Sequence, residues 1–376
     1  DAPEEEKKHV QAEIHALQEL LLQKKRIKKH EFNGWNRSSD VLLLTLPAFR
    51  DALAEEVIGK KKVLKSGVRT IVSDFETTMK IRTFQELLFV IHTKAEKNIL
   101  SAEPKQLAQE LAESDLMQIL TETHKGDAPF CFRIGVSGSM SLEERSVFAK
   151  RVAGAIETAS GRKLINSTSH YEVELRLLQH REGGFVPLLK LYTLPDHRFD
   201  YRRYYVAASM KPTLAAGLMA LAKPYLKEHA QILDPFCGVG TLLMERRFVA
   251  PARNAYGIDI FGEAIEKARM NSKIAGMQTN YINRDYFDFV HGYKFDEIVT
   301  DLPAGNLTKT ELDDLYRRFF EKSDVVLAED GRMIFFSREM GLVKKQLRLH
   351  PQFRLTQEFC IQEKNGSYLF IVEKRQ

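Results

Sequence analysis

The chain has 376 residues, 44% of them hydrophobic and 28% charged, with a formal net charge of +5. That length suits two or three globular domains, and so small a surplus of charge does not by itself indicate nucleic acid. No run approaches eighteen uninterrupted apolar residues, so no helical membrane span is expected, and Cys131, Cys237 and Cys360 are too scattered for a disulfide framework or a zinc site.

The start, DAPEEEKK, lacks the charged-then-apolar order of a secretory signal, and a reducing cytoplasm is the expected compartment. Residues 4 to 30 read as one amphipathic helix, because Val10, Ile14, Leu17 and Leu21 recur at helical spacing with charges between them. Such a stripe calls for a docking surface or for self-association. After NGW and RSSD, VLLLTLP at 41 to 47 reads as a buried strand closed by Pro47. AFRDALAEEVIG then reads as a helix with Phe49, Leu53 and Val57 on one side and Gly59 as its stop. Strands near 68 to 73 and 87 to 93 follow, then a helix from Pro104 to about Ile119. Strand CFRIGV, a helix built on Phe148, Val152 and Ala155, strand YEVELRLLQ at 171 to 179, a Gly-Gly turn and strand FVPLLKLYT complete a region of small α+β units. Positive charge gathers in KKRIKK at 24 to 29, in KKK at 60 to 62 with Lys65, and at Arg202 and Arg203. These clusters can track a phosphate backbone or form a solvated face.

A different style begins near Asp200. A helix from about Lys211 to Tyr225 leads into AQILDPF, and strands and helices then alternate through NAYGIDI, TNYIN, FDEIVTD and RMIFFS, the pattern of a parallel, doubly wound sheet. FRLTQEFCIQ and SYLFIVEKR flank Asn365-Gly366, a hairpin signal, so antiparallel strands are expected to close the sheet.

In DPFCGVGT, at 234 to 241, the strand-end Asp234 can accept hydrogen bonds, and Gly238 and Gly240 allow a tight turn close to a ligand. The next strand ends in Asp259, placed to accept from both hydroxyls of a ribose, and a third leads to Asp285. Capping of the following helix is the competing reading of both carboxylates. NAD and S-adenosylmethionine each offer adenine and ribose to such a crevice, but a diphosphate wants a third glycine where Leu243 stands. The loop resembles the first motif of the class I methyltransferases, whose sheet also ends in an antiparallel hairpin.

The fourth strand exits through DLPAG, at 301 to 305. It resembles the Asp/Asn-Pro-Pro-aromatic motif of methyltransferases that act on exocyclic base amines. In that reading Asp301 and a main-chain carbonyl of Leu302-Pro303 accept the two amine hydrogens, Pro303 fixes the carbonyl direction and Gly305 allows the turn. Ala304 occupies the place of the usual aromatic, leaving Phe236, Tyr286 or Phe287 to stack on the flipped base.

Over roughly residues 40 to 376 the chain resembles the THUMP-domain RNA guanine-N2 methyltransferases. The similarity lies in VLLLTLPAFRDALAEEV, IRTFQELLFVI, FRIGVSG, HYEVELRLL and YRRYYVAASMKPTLAAGLMALA, together with the motifs above. It implies a ferredoxin-like unit (37–95), a THUMP RNA-binding domain (96–195) and a Rossmann-like methyltransferase domain (196–376), to which the expected N-terminal helical extension (1–36) is additional. It further implies S-adenosylmethionine held by Thr213, Asp234, Phe236, Gly238, Gly240, Asp259 and Asp285, with Asp301 and Pro303 catalytic. Leu302, Gly305, Arg202 and Arg203 would bind substrate, most simply tRNA, with no metal. The alternatives are an RNA-binding scaffold of weakened or lost activity, an rRNA guanine-N2 enzyme and an adenine-N6 methyltransferase.

Overall fold

The computed structural model describes residues 30–305 and 307–375. The helix expected up to residue 30, its self-association and the KKRIKK cluster lie outside the described residues. Two compact units are present. The first comprises residues 30–40, 72–75 and 88–195, and the second comprises 41–71, 76–87 and 196–375.

In the first unit, strand Phe185–Leu191 pairs antiparallel with Val173–Gln179, which runs parallel to Phe130–Ser137, itself parallel to Leu164–Asn166. Helix Leu142–Ala159 starts at a capping box in which Ser141 and Glu144 satisfy each other's backbone N–H groups. The single helix expected from Pro104 is two, Pro104–Ala112 and Leu116–Thr123, because Glu113-Ser114-Asp115 interrupts it. There the Ser114 hydroxyl bonds back to the Leu111 carbonyl, a local alternative to helical pairing.

The second unit holds a seven-stranded sheet. Its strands are numbered β1 (Ala230–Asp234), β2 (Ala252–Asp259), β3 (Asn280–Asn283), β4 (Phe295–Asp301), β5 (Leu327–Ser337), β6 (Phe353–Gln362) and β7 (Ser367–Lys374). The order is β3-β2-β1-β4-β5-β7-β6. The first five strands are parallel, and β7 pairs antiparallel with both β5 and β6. Gly366, at φ +63°, closes the turn between β6 and β7, as Asn365-Gly366 foretold. The helices are α1 (Pro212–Ala222), α2 (Thr241–Val249), α3 (Gly262–Ile274), α4 (Lys309–Val326) and α5 (Met340–Leu349).

Period-two alternation along the strands supplies a core on each face. Ile298, Met333, Phe335 and Phe370 pack with Tyr316, Phe319 and Phe320 of α4. Val299, Ile334, Phe336 and Ile371 pack with Leu218 and Met219 of α1 and with Phe49. Phe49 lies so close to α1 that a Cβ on Gly217 would sit 2.3 Å from its ring. The segment 76–87 is fastened to the same unit by Arg82, whose Nε and Nη2 donate to Glu245 of α2 at 2.9 and 2.7 Å. The Tyr201 hydroxyl donates to the same carboxylate at 2.5 Å, so this carboxylate, 1% exposed, is fully paired.

Candidate active site

Parallel α/β sheets present their loops at the carboxyl ends of the strands, and the rim beside β1, where the strand order reverses, is the natural ligand crevice. Asp234 ends β1 and Asp301 ends the neighbouring β4. Asp234 is 1% exposed, and its Oδ1 accepts from the Thr300 hydroxyl at 2.7 Å and from the Phe236 N–H at 3.2 Å. Burial, helped by the like charges of Asp259 and Asp301, pushes its pKa up to about 7.

Asp259 ends β2 and stitches two loops together. Its Oδ2 accepts from the Gly238 N–H and its Oδ1 from the Phe261 N–H, each at 2.8 Å. A carboxylate offers about four acceptor positions, so two remain for a ligand's hydroxyls. The two loop glycines differ in what they make room for. Gly240, at φ +78°, leads into α2, and a Cβ there would lie 2.3 Å from the Tyr281 hydroxyl oxygen. Gly238, at φ +52°, faces no atom within 4 Å, leaving its backbone open to a ligand. Asp285 caps the short turn Tyr286–Asp288, accepting from the Phe287 N–H at 2.8 Å. The competing capping reading therefore describes one oxygen of that carboxylate.

The exit from β4 divides its residues between core and rim. Leu302 donates its N–H to the Phe336 carbonyl at 3.0 Å and buries its side chain in the core, so only its carbonyl remains to meet a substrate. Pro303 and Ala304 are half-buried, and Gly305, at φ +105°, is exposed with open space around it. The Oδ1 of Asp301 is buried without a hydrogen-bond partner. Burial raises this carboxyl to about 6, against the pull of Arg338, whose Nη1 lies 3.7 Å from Oδ1.

Of the three aromatics expected to replace the one missing at 304, Tyr286 is 1% exposed inside the core and cannot meet a base. Phe236 and Phe287 are half-buried, with ring centroids 6.4 Å apart, and the Arg318 guanidinium lies 3.8 Å above Phe287. Arg202 is tied to the start of α2, donating to the Thr241 hydroxyl at 3.3 Å, and Arg203 is exposed. Thr213 is half-buried in the first turn of α1, and among the described residues neither it nor Arg203 hydrogen-bonds to another candidate. Sequence reasoning missed Thr300 and Arg338. Both stand at strand ends on the rim, the position that singled out the aspartates.

A separate cavity of about 720 Å³ lies at the opposite edge, where β2 and β3 begin, and is lined by Arg247, Arg253, Arg269 and Lys273. Its arginines are engaged within the fold, Arg247 on the Gln278 carbonyl, Arg269 on the Tyr281 carbonyl and Arg253 on Asp296. Among the described residues no helix is long and apolar enough to cross a membrane, and no cluster of three His, Cys, Asp or Glu side chains could hold a metal.

Residues 200–365 match the family of RMKL-like methyltransferase domains, UPF0020. Over 156 residues the chain is 34% identical to a tRNA (guanine(10)-N2)-dimethyltransferase of Methanothermobacter thermautotrophicus, covering 39% of this chain and 45% of that protein. Over 147 residues it is 26% identical to the Bos taurus U6 snRNA (guanine-N(2))-methyltransferase THUMPD2, covering 37% of this chain and 27% of that one. The chain thus spans less than half the length of these curated relatives. Across 89% of its length it is similar to 99% of the crystal structure of TrmN from Thermus thermophilus, with a TM-score of 0.67 at 21% identity. Its similarity to SMU.472 complexed with SAH covers 90% of this chain and 98% of that one, with a TM-score of 0.68 at 14% identity. The fold is that of the class I methyltransferases.

Proposed function

We propose that the chain methylates the exocyclic N2 of a guanine in RNA, most simply tRNA, using S-adenosylmethionine. The observation that carries this reading is Asp301: a buried carboxyl oxygen with no hydrogen-bond partner, at the end of β4 and followed by Leu-Pro, beside the glycine loop of β1. A guanine amine is a weak nucleophile because its lone pair is delocalised into the ring. Asp301 and the Leu302 carbonyl would accept its two hydrogens and turn that lone pair out of the ring plane. Alignment of this kind is worth about 7–11 kcal/mol when reactants are well placed.

The cofactor supplies an electrophilic methyl on a sulfonium. The open backbone at Gly238 and the unused acceptor positions of Asp259 fit its nucleoside, with Asp234, Phe236 and Gly240 lining it. Asp285 would contact adenine and Thr213 the methionine end. On exchange of the methyl's bond to sulfur for one to nitrogen, Asp301 or water would take the amine's surplus proton. The names of the two relatives favour guanine N2 in RNA over adenine N6. We assign RNA gripping to residues 37–195, the ferredoxin-like and THUMP regions, and to Arg202 and Arg203, in a cytoplasmic enzyme. The RNA must be read largely by shape, and its target base flipped out.

Ala304 favours one second reading, a scaffold that binds RNA and has lost turnover. Methyl-labelled S-adenosylmethionine incubated with unmodified tRNA, followed by nucleoside analysis, separates them. N2-methylguanosine is expected. Tight RNA binding with no labelled nucleoside would favour the scaffold, and N6-methyladenosine would overturn both.

A further inference from the structure

We propose that Arg338 is a positioning residue for Asp301, holding the carboxyl group in its hydrogen-accepting form from just outside bonding distance, without occupying the oxygen that a substrate amine must reach. The inference rests on the role given to Asp301 above.

Backbone pairing places the two side chains together. Asp301 is in register with Phe336, and the Leu302 N–H extends the ladder by bonding the Phe336 carbonyl. Arg338, two residues further on, therefore emerges at the same rim. Its guanidinium lies 5.0 Å from the Phe336 ring centroid, an aromatic floor that favours a cation. Its Nη1 stops 3.7 Å from Oδ1 of Asp301, too far for a hydrogen bond but near enough for strong attraction in a partly dry site. Oδ1 consequently feels a positive charge and keeps its lone pairs free.

Burial of Asp301 makes that charge necessary. Asp234 on β1 is flanked by Asp259 on β2 and by Asp301, whose like charges disfavour its ionisation. Glu339 follows Arg338 in the chain, and the Tyr316 hydroxyl of α4 is bound to Ser337 at 2.6 Å. Of these neighbours only Arg338 opposes protonation of Asp301. Protonated on Oδ1, Asp301 would turn an O–H donor toward an amine that itself donates, and the two would repel. Burial alone drives Asp301 toward that unproductive state.

The test uses the full chain with Arg338→Met and Arg338→Lys. The Asp301 carboxyl is titrated by carbon-13 NMR, with Asp301→Asn to assign the signal, and single-turnover methyl transfer to tRNA is followed against pH. In Arg338→Met the carboxyl should titrate about one pH unit higher, and the acidic limb of the rate should move with it, slowing transfer about tenfold below that limb. Arg338→Lys should restore most of both, with KM for RNA hardly changed. An unaltered titration in Arg338→Met would overturn the proposal, as would a rate loss uniform across pH with a raised KM. If the unaltered chain transfers no methyl group, the reading of the site falls, while the NMR shift still upholds or overturns the pairing of charges.

Discussion

Thr300 donates its hydroxyl to Asp234, and this 2.7 Å bond joins the ends of two strands 66 positions apart in the chain. The glycine loop after β1 and the Asp-Leu-Pro loop after β4 therefore open onto one rim. A methyl donor on the first and an amine on the second would meet there without any movement of the sheet.

The first consequence concerns Asp301. Asp301→Ala removes an aligned acceptor and leaves the glycine loop intact, so methyl transfer should fall by about a hundredfold or more. Calorimetry with S-adenosylhomocysteine should show its affinity largely kept. Loss of both together would place Asp301 in cofactor binding instead.

The two loop glycines should respond unequally to alanine. At Gly240 a Cβ meets the Tyr281 hydroxyl, and crowding together with the left-handed backbone should cost about 2–4 kcal/mol in urea denaturation. Gly238→Ala carries only the backbone strain, about 1–2 kcal/mol, and its larger effect should be on cofactor affinity. Adding Tyr281→Phe to Gly240→Ala should recover part of the stability, because the nearest clashing atom is gone.

Asp234 should make stability fall with rising pH. Its folded pKa, about 7, lies above the ordinary value of 3.8. The folded state therefore holds a proton that the unfolded chain releases. That contribution is complete below about pH 4 and is lost as pH rises through about 7. Asp234→Asn keeps an oxygen for the Thr300 hydroxyl and the Phe236 N–H but cannot ionise. Urea melts of the variant and its parent should converge near pH 4, with the variant more stable at pH 8 by as much as a few kcal/mol.

Ala304→Tyr restores a stacking surface at the rim. Base stacking on an aromatic is worth about 1–3 kcal/mol, so RNA affinity should rise about ten- to a hundredfold in a filter-binding titration. If Phe236 or Phe287 already stacks on the base, the gain should be small, and Phe287→Ala should weaken binding.

What the sequence made legible was local. Asp234, Asp259 and Asp301 each close an apolar run just before a turn, and Asn365-Gly366 announces its hairpin through backbone chemistry alone. What it hid depends on distant partners. Strand Leu164–Asn166 is three residues long and exists by pairing with Phe130–Phe132. Lys61–Leu64, legible only as part of a basic cluster, is half of a hairpin with Gly67–Val72. Tyr286 shares the local chemistry of Phe287, yet one is sealed in the core and the other packs half-buried against it, a difference set by tertiary packing. Arg338 was hidden for the same reason, since its importance depends on which strand lies beside β5.

The clasp between Arg82 and Glu245 spans 163 positions and bears on how this chain can be divided and made. Severing the chain near residue 196 would leave the buried Glu245 carboxylate with the Tyr201 hydroxyl but without its cation, which should destabilise the C-terminal half. During synthesis the early segment must wait, unpartnered, until that helix leaves the ribosome. An arm that looks appended in the linear order is thus the last piece of a scaffold whose main beams are made after it.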